Sequence, residues 1–274
     1  MTPLRPPLTF TFTFTASHRN GSGSPMVCLH GFTDTWRSWE LVLPALERRH
    51  DVLALTLPGH AGGPRLASEI TDDTLVDQVE QAIDTAGIDE AHIVGNSLGG
   101  YVALRLAARG RASSVVALAP AGGWADGDPW PRELLRLQLR VLEQARAAAA
   151  HADAIVATPE GRRRATELST TNFEHIPPEL IAHQTVGVAR APDGARMLEY
   201  AHRARWDLDA ERIKCPVRVI WGTADKLLPW PQSTVRYRTE LLPHADWIEL
   251  DGVGHCPQLD VPLETAQLIL GFTG

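Results

Sequence analysis

Three side chains in this sequence stand where hydrolytic chemistry would need them: Ser97, Asp225 and His255. A serine hydroxyl is a weak nucleophile at neutral pH and reacts only when a base within hydrogen-bond reach takes its proton. An imidazole suits that work, and it needs in turn an acceptor that fixes its tautomer and stabilises the imidazolium. Ser97 sits in Gly95-Asn96-Ser97-Leu98-Gly99, with Gly100 following, between the apolar run 91–94 and a helical pattern. That context predicts a tight strand-to-helix turn with the serine strained at its apex, where small residues two positions to either side avoid collision. A serine that only caps the following helix is the plainer alternative.

His255 lies in Asp251-Gly252-Val253-Gly254-His255-Cys256-Pro257, directly after the apolar run 247–250. Asp225 lies in Trp221-Gly222-Thr223-Ala224-Asp225-Lys226, directly after the run 217–221. Both therefore belong to loops at strand ends, where ligands and chemistry gather in parallel sheets. Asp225 has a plainer reading as a turn cap or a partner of Lys226, and Asp126 or Asp128 could reach the same imidazole from the neighbouring loop. The other ten histidines, among them His151, His175, His183 and His202, read as surface or packing residues. Cys256 reads as a small packing residue, because neighbouring loop side chains point apart.

A tetrahedral oxyanion needs two donors. One is expected from the backbone N–H of Leu98, at the start of the helix after Ser97, and the other from Phe32 in His30-Gly31-Phe32-Thr33, which follows the strand-like run 26–29. Eight tryptophans suggest an apolar pocket, and Trp36, Trp124, Trp130 and Trp230 are the candidate substrate contacts, with Trp39 also near a loop end.

The elements that must position these residues can be read from periodicity. Short apolar runs at 26–29, 52–57, 92–94, 115–119, 217–221 and 247–250 read as buried parallel strands. Helical patterns at 36–48, 73–86, 98–109 and 262–270 supply the crossovers, so the fold class is α/β with a mostly parallel sheet. Phe10, Phe12 and Phe14 alternate with threonines as a strand would. Over 121–211 the strand rhythm stops, and helix-like spacing such as Leu134, Leu135, Val141 and Leu142 takes over. Pro159, Pro177, Pro178 and Pro192 stand at plausible helix starts, dividing this insertion into four or so short helices. Residues 1–120 with 212–274 would then form the core domain and 121–211 the insertion.

Composition narrows the functional classes. The 274 residues are 44% hydrophobic and 22% charged, which is ordinary globular usage. A net charge of −7 repels nucleic acid and anionic lipid surfaces. Three unpaired-looking cysteines, Cys28, Cys215 and Cys256, suit a reducing compartment, and neither a zinc pattern nor a cofactor motif is present. No apolar run spans a bilayer and the N-terminus lacks a signal-peptide core, so the expectation is a cytoplasmic protein, and the sequence leaves monomer and homodimer both open.

Leu29-His30-Gly31-Phe32, Leu57-Pro58-Gly59-His60, the Ser97 segment, Gly222-Thr223-Ala224-Asp225 and Gly252-Val253-Gly254-His255 together resemble the α/β-hydrolase superfamily over nearly the whole chain. The resemblance is to its serine-nucleophile branch with a helical cap, and the order Ser, Asp, His agrees with it. It implies a twisted, mainly parallel sheet flanked by helices, with the cap inserted after the sixth strand, here 115–119. It also implies that His30 organises the oxyanion loop and that Leu57-Pro58-Gly59-His60 is a structural loop. The sequence departs from the usual pattern at Thr56, where an aspartate is common, and in the shortened glycine-rich turn at 19–24. Serine at the turn argues against the haloalkane dehalogenase and epoxide hydrolase branches, which place aspartate there.

The activity implied is hydrolysis of a carboxylic ester of a small to medium apolar substrate through an acyl-enzyme, without cofactor or metal. Cleavage of a C–C bond in ring-cleavage products is the alternative, although Phe32-Thr33-Asp34 replaces the glycine-rich oxyanion loop usual there. Lactonase or perhydrolase activity and a non-catalytic ligand receptor complete the set.

Overall fold

The computed structural model describes residues 10–274. Among these described residues seven strands form one sheet in the order β1-β3-β2-β4-β5-β6-β7. They are β1 (Ser17–Gly21), β2 (Ser24–Leu29), β3 (His50–Leu55), β4 (Ala91–Asn96), β5 (Ala112–Leu118), β6 (Val217–Gly222) and β7 (Asp246–Leu250). Edge strand β1 runs antiparallel to β3. Every other pairing is parallel.

The apolar runs are continuous because side chains alternate between two covered faces. Val27, Leu29, Ile93 and Val115 pack with α2 (Thr74–Thr85) and α3 (Leu98–Ala108). Met26, Cys28, Val94 and Val116 face the other way, onto Trp39, α1 (Leu43–Leu46) and the closing helix α10 (Pro262–Thr273). The helix expected over 36–48 is broken into a 3₁₀ turn, Trp36–Trp39, and the single turn α1. Pro44 explains the break: it fits the first turn of α1 but cannot donate back to the preceding turn.

Between β5 and β6 the chain forms α4 (Trp130–Ala148), α5 (Ala152–Val156), α6 (Pro159–Thr166), α7 (Pro178–Arg190) and α8 (Gly194–Ala201). Pro159 and Pro178 open their helices, where a missing N–H costs nothing. Pro192 instead falls in the link between α7 and α8. A short helix α9 (Pro257–Asp260) precedes α10.

The strand before the insertion is the one expected, but it is the fifth of the described strands and not the sixth. The reason is the phenylalanine segment, which forms no strand over 10–14. Instead Phe14 lies 4.4 Å and Phe12 5.9 Å from the His183 ring of α7, while Phe10 N donates to Asp153 Oδ2 of α5 at 3.1 Å. Residues 1–9, the rest of that alternating stretch, lie outside the described residues. The glycine-bearing 19–24 segment is divided between β1 and β2. Among the described residues no helix is long and apolar enough to cross a membrane, and all three cysteines are free.

Candidate active site

β4 ends at Asn96 and α3 begins at Leu98, leaving Ser97 alone in the turn with φ 54° and ψ −116°. A non-glycine residue at positive φ is strained, and such strain persists only where its surroundings hold it. Here Ser97 N donates to Leu118 O at 2.8 Å, and Ser97 O accepts from Tyr101 N at 3.0 Å and Ala121 N at 3.1 Å. The flanking glycines answer to space: a Cβ on Gly95 would lie 2.2 Å from Gly99 O, and one on Gly99 would lie 2.2 Å from Leu29 O.

His255 follows β7, and Asp225 follows β6. His255 Nδ1 and Asp225 Oδ2 are 2.7 Å apart, both residues buried. The other oxygen, Asp225 Oδ1, accepts from Leu227 N at 2.8 Å and Leu228 N at 2.7 Å. Asp225 is thus satisfied on both sides, and its contact with the imidazole leaves Nε2 free to act as a base. Asp128 lines the same cavity, but its carboxylate accepts from Trp130 N at 2.8 Å and from Gln232 Nε2 at 3.0 Å, and it is Asp225 that contacts the imidazole. Ser97 and His255 face one cavity, with no hydrogen bond between them in the described residues. Hydrogen bonds of this kind commonly tighten only when substrate is bound. Asn96, which the sequence reading passed over, ties the two together: its Nδ2 donates to His255 O at 3.0 Å.

The loop after β2 passes directly against this turn, since a Cβ on Gly31 would lie 3.3 Å from Ser97 Cβ. Phe32 of that loop and Leu98 both line the cavity. His30 holds the loop to the end of β3: Leu57 N donates to its Nε2 at 2.8 Å and its Nδ1–H donates to Gly31 O at 2.6 Å. The resemblance assigned His30 this organising part. His60 packs edge-on to both His30 and Phe32, with its Nδ1 near Leu57 O and Pro58 O and its buried Nε2 without a partner among the described residues.

Burial holds His30 well below the usual histidine range and lowers His60 to about 4. Both rings stay neutral in the fold, whereas the unfolded chain protonates near pH 6.5. The stability that neutral His60 contributes is therefore complete above about pH 6.5 and is lost as the pH falls towards about 4, on the order of 3 kcal/mol, and His30 acts in the same direction. Tm should accordingly drop across that interval, and drop less in His60→Gln. A Tm that stays level from pH 7 to pH 4 would mean that these imidazoles protonate freely in the native state.

The cavity holds about 580 Å³, within the range of small-molecule sites. Its walls include Tyr101, Val102 and Leu228 from the core and Leu135, Met197 and Leu198 from the insertion. Of the four tryptophans expected as substrate contacts, Trp124 lines it. Trp36 does not, because its indole N–H donates to Thr15 Oγ1 at 2.8 Å and its ring stacks on His18. Trp130 turns away to donate to Leu227 O at 2.9 Å, and Trp230 packs between Trp221 and Arg238. The tryptophan that sequence reasoning missed is Trp206, in the wall at φ 54°, edge-on to Tyr101 at 5.0 Å and Trp124 at 5.4 Å. Among the described residues, no group of three or more His, Cys, Asp or Glu is placed to hold a metal ion. Cys256 is buried, its thiol pushed well above the usual range chiefly by burial, with Sγ 3.4 Å from Asn96 Oδ1.

The sequence model of the alpha/beta hydrolase family matches residues 26–268. The chain belongs to the alpha/beta hydrolase family. It is 31% identical over 199 residues to the epoxide hydrolase EphH of Mycobacterium tuberculosis, a match that covers 72% of this chain and 92% of that protein. Among solved structures this alpha/beta hydrolase resembles a bacterial membrane phospholipase A, at a TM-score of 0.73 and 22% identity over 93% of this chain and 81% of that one. It also resembles the meta-cleavage product hydrolase of Pseudomonas fluorescens IP01, at a TM-score of 0.69 and 22% identity over 93% of this chain and 92% of that one. These two likenesses establish the alpha/beta hydrolase fold: a seven-stranded, mostly parallel sheet with flanking helices.

Proposed function

We propose that this alpha/beta hydrolase cleaves carboxylic esters of small to medium apolar substrates through an acyl-enzyme. In this reading His255 Nε2 takes the Ser97 proton as Oγ attacks the ester carbonyl, and the N–H groups of Phe32 and Leu98 receive the oxyanion. His255 then returns the proton to the departing alcohol, and the same base activates water to release the acid. The observation that carries the reading is the buried 2.7 Å contact between His255 and Asp225 at the cavity that Ser97 also faces.

The similarity to an epoxide hydrolase does not redirect this reading. A serine that opened an epoxide would be left as an ether, which water does not cleave, whereas an acyl-serine is an ester that it does. The apolar walls favour an apolar acyl or alcohol group. We infer in addition that 121–211 serves as a cap over a core of 1–120 and 212–274, a division supported by the lining that α4 and α8 contribute. Residues 1–9 enter that division by sequence alone. A cytoplasmic location accords with the free cysteines.

The test is a panel of p-nitrophenyl esters from acetate to decanoate alongside lactones and a ring-cleavage dienol. Ester turnover with saturating kinetics is expected. Consumption of the dienol much faster than any ester would replace this reading with C–C hydrolysis, and inertness towards the whole panel would overturn it.

A further inference from the structure

We propose that Asp260 is a positioning residue for His255, acting by locking the loop that carries the base onto the helical insertion. The inference rests on His255 being the general base. Asp260, the last residue of α9, is completely buried, and no cation pairs with it among the described residues. An isolated carboxylate is costly to bury, so the groups that solvate it are held firmly. Those groups come from two places. Gly254 N, next to the base, donates to Oδ2 at 2.6 Å, while Asn172 N at 2.6 Å and Thr171 N at 3.0 Å donate from the insertion.

The surrounding contacts repeat the pattern. Thr171 Oγ1 stands 2.8 Å from Gly252 O and 3.0 Å from Asp260 Oδ2, within reach of either. Cys256 N donates to Ser169 O at 2.8 Å, Asn172 Nδ2 to Asp260 O at 3.2 Å, and His175 Nε2 to Leu259 O at 2.7 Å. A Cβ on Gly254 would lie 2.9 Å from Ser169 O, so the two backbones already touch.

His255 is therefore fastened from three directions. Asp225 sets the rotation of the ring, Asn96 holds the His255 carbonyl to the Ser97 turn, and Asp260 fixes the backbone on the insertion side. Proton transfer depends steeply on position, and a displacement of about 1 Å can cost on the order of 10² in rate. The base is competent only while residues 169–175 are docked.

The experiment is a double-mutant cycle on p-nitrophenyl butyrate, run well below Tm with active sites counted. Asp260→Asn places an NH₂ among N–H donors, and kcat should fall about 10- to 100-fold with KM within about twofold. Thr171→Val keeps the side-chain volume but removes one donor, and should lower kcat about 3- to 10-fold. In a His255→Ala background neither substitution should reduce the residual rate further, because each acts through the imidazole.

Full kcat in folded Thr171→Val and Asp260→Asn would overturn the inference. So would an equal fold-loss in the His255→Ala background, which would make Asp260 a structural residue only. Should Asp260→Asn fail to fold, the Thr171→Val cycle decides alone. A His255→Ala enzyme as fast as wild type would instead overturn the assignment of the base, and is told apart by that single variant.

Discussion

Ser97→Ala is expected to lower kcat on p-nitrophenyl esters by about 10⁴-fold or more while leaving KM and Tm close to those of the unaltered enzyme. The size follows from the way a nucleophile, its base and its acid act as a unit, so that losing one removes nearly everything the set contributes. Residual turnover would come from binding and from oxyanion donors that do not depend on the serine side chain. The fold should survive because the turn is held by backbone bonds, Ser97 N to Leu118 O and Ala121 N to Ser97 O, which alanine keeps. Rapid quenching with a slow ester should also add the acyl mass to the peptide containing Ser97 and to no other. A variant that turns over within tenfold of wild type would remove Ser97 from the mechanism.

Asp225→Asn should be nearly as severe, about 10³- to 10⁴-fold in kcat. Two backbone donors, Leu227 N and Leu228 N, claim the oxygen at the Oδ1 position. An asparagine must put its carbonyl there and its NH₂ where Oδ2 now faces His255 Nδ1. The imidazole then accepts at Nδ1 and carries its proton on Nε2, the wrong tautomer to deprotonate a serine. Asp128→Asn and Asp126→Asn should stay within about threefold, since Asp128 is engaged with Trp130 and Gln232. Losses of similar size at Asp128 and Asp225 would mean that the acid has been misassigned.

Burial on both faces of a parallel sheet leaves a plain mark in sequence, which is why six of the seven strands were legible as apolar runs. The Phe10–Phe12–Phe14 alternation carries the same mark for another reason: the rings of Phe12 and Phe14 pack on His183 of α7 and that of Phe10 on Phe12, and period two cannot say what a segment packs against. The missed strand, β1, reads Ser-His-Arg-Asn-Gly, an exposed edge with no apolar side to notice. Tryptophans near loop ends were visible, but their direction was not, because it depends on partners distant in the chain such as Thr15 for Trp36. Trp206 was hidden in a charged run, and its positive φ has no sequence signal. Asn96 and Asp260 are polar residues whose partners lie 159 and 88–89 positions away.

Those bonds at 169–175 also decide where this protein can be recombined with its relatives. By chain order the segment travels with the helices of the insertion, but by bonding it belongs with α9 and the loop that leads into it from β7. A hybrid that imported a foreign insertion whole would bring an unmatched backbone against the Asp260 carboxylate. Exchanges aimed at the cavity wall are better confined to α4 and α8, leaving 169–175 native as part of the scaffold that is kept.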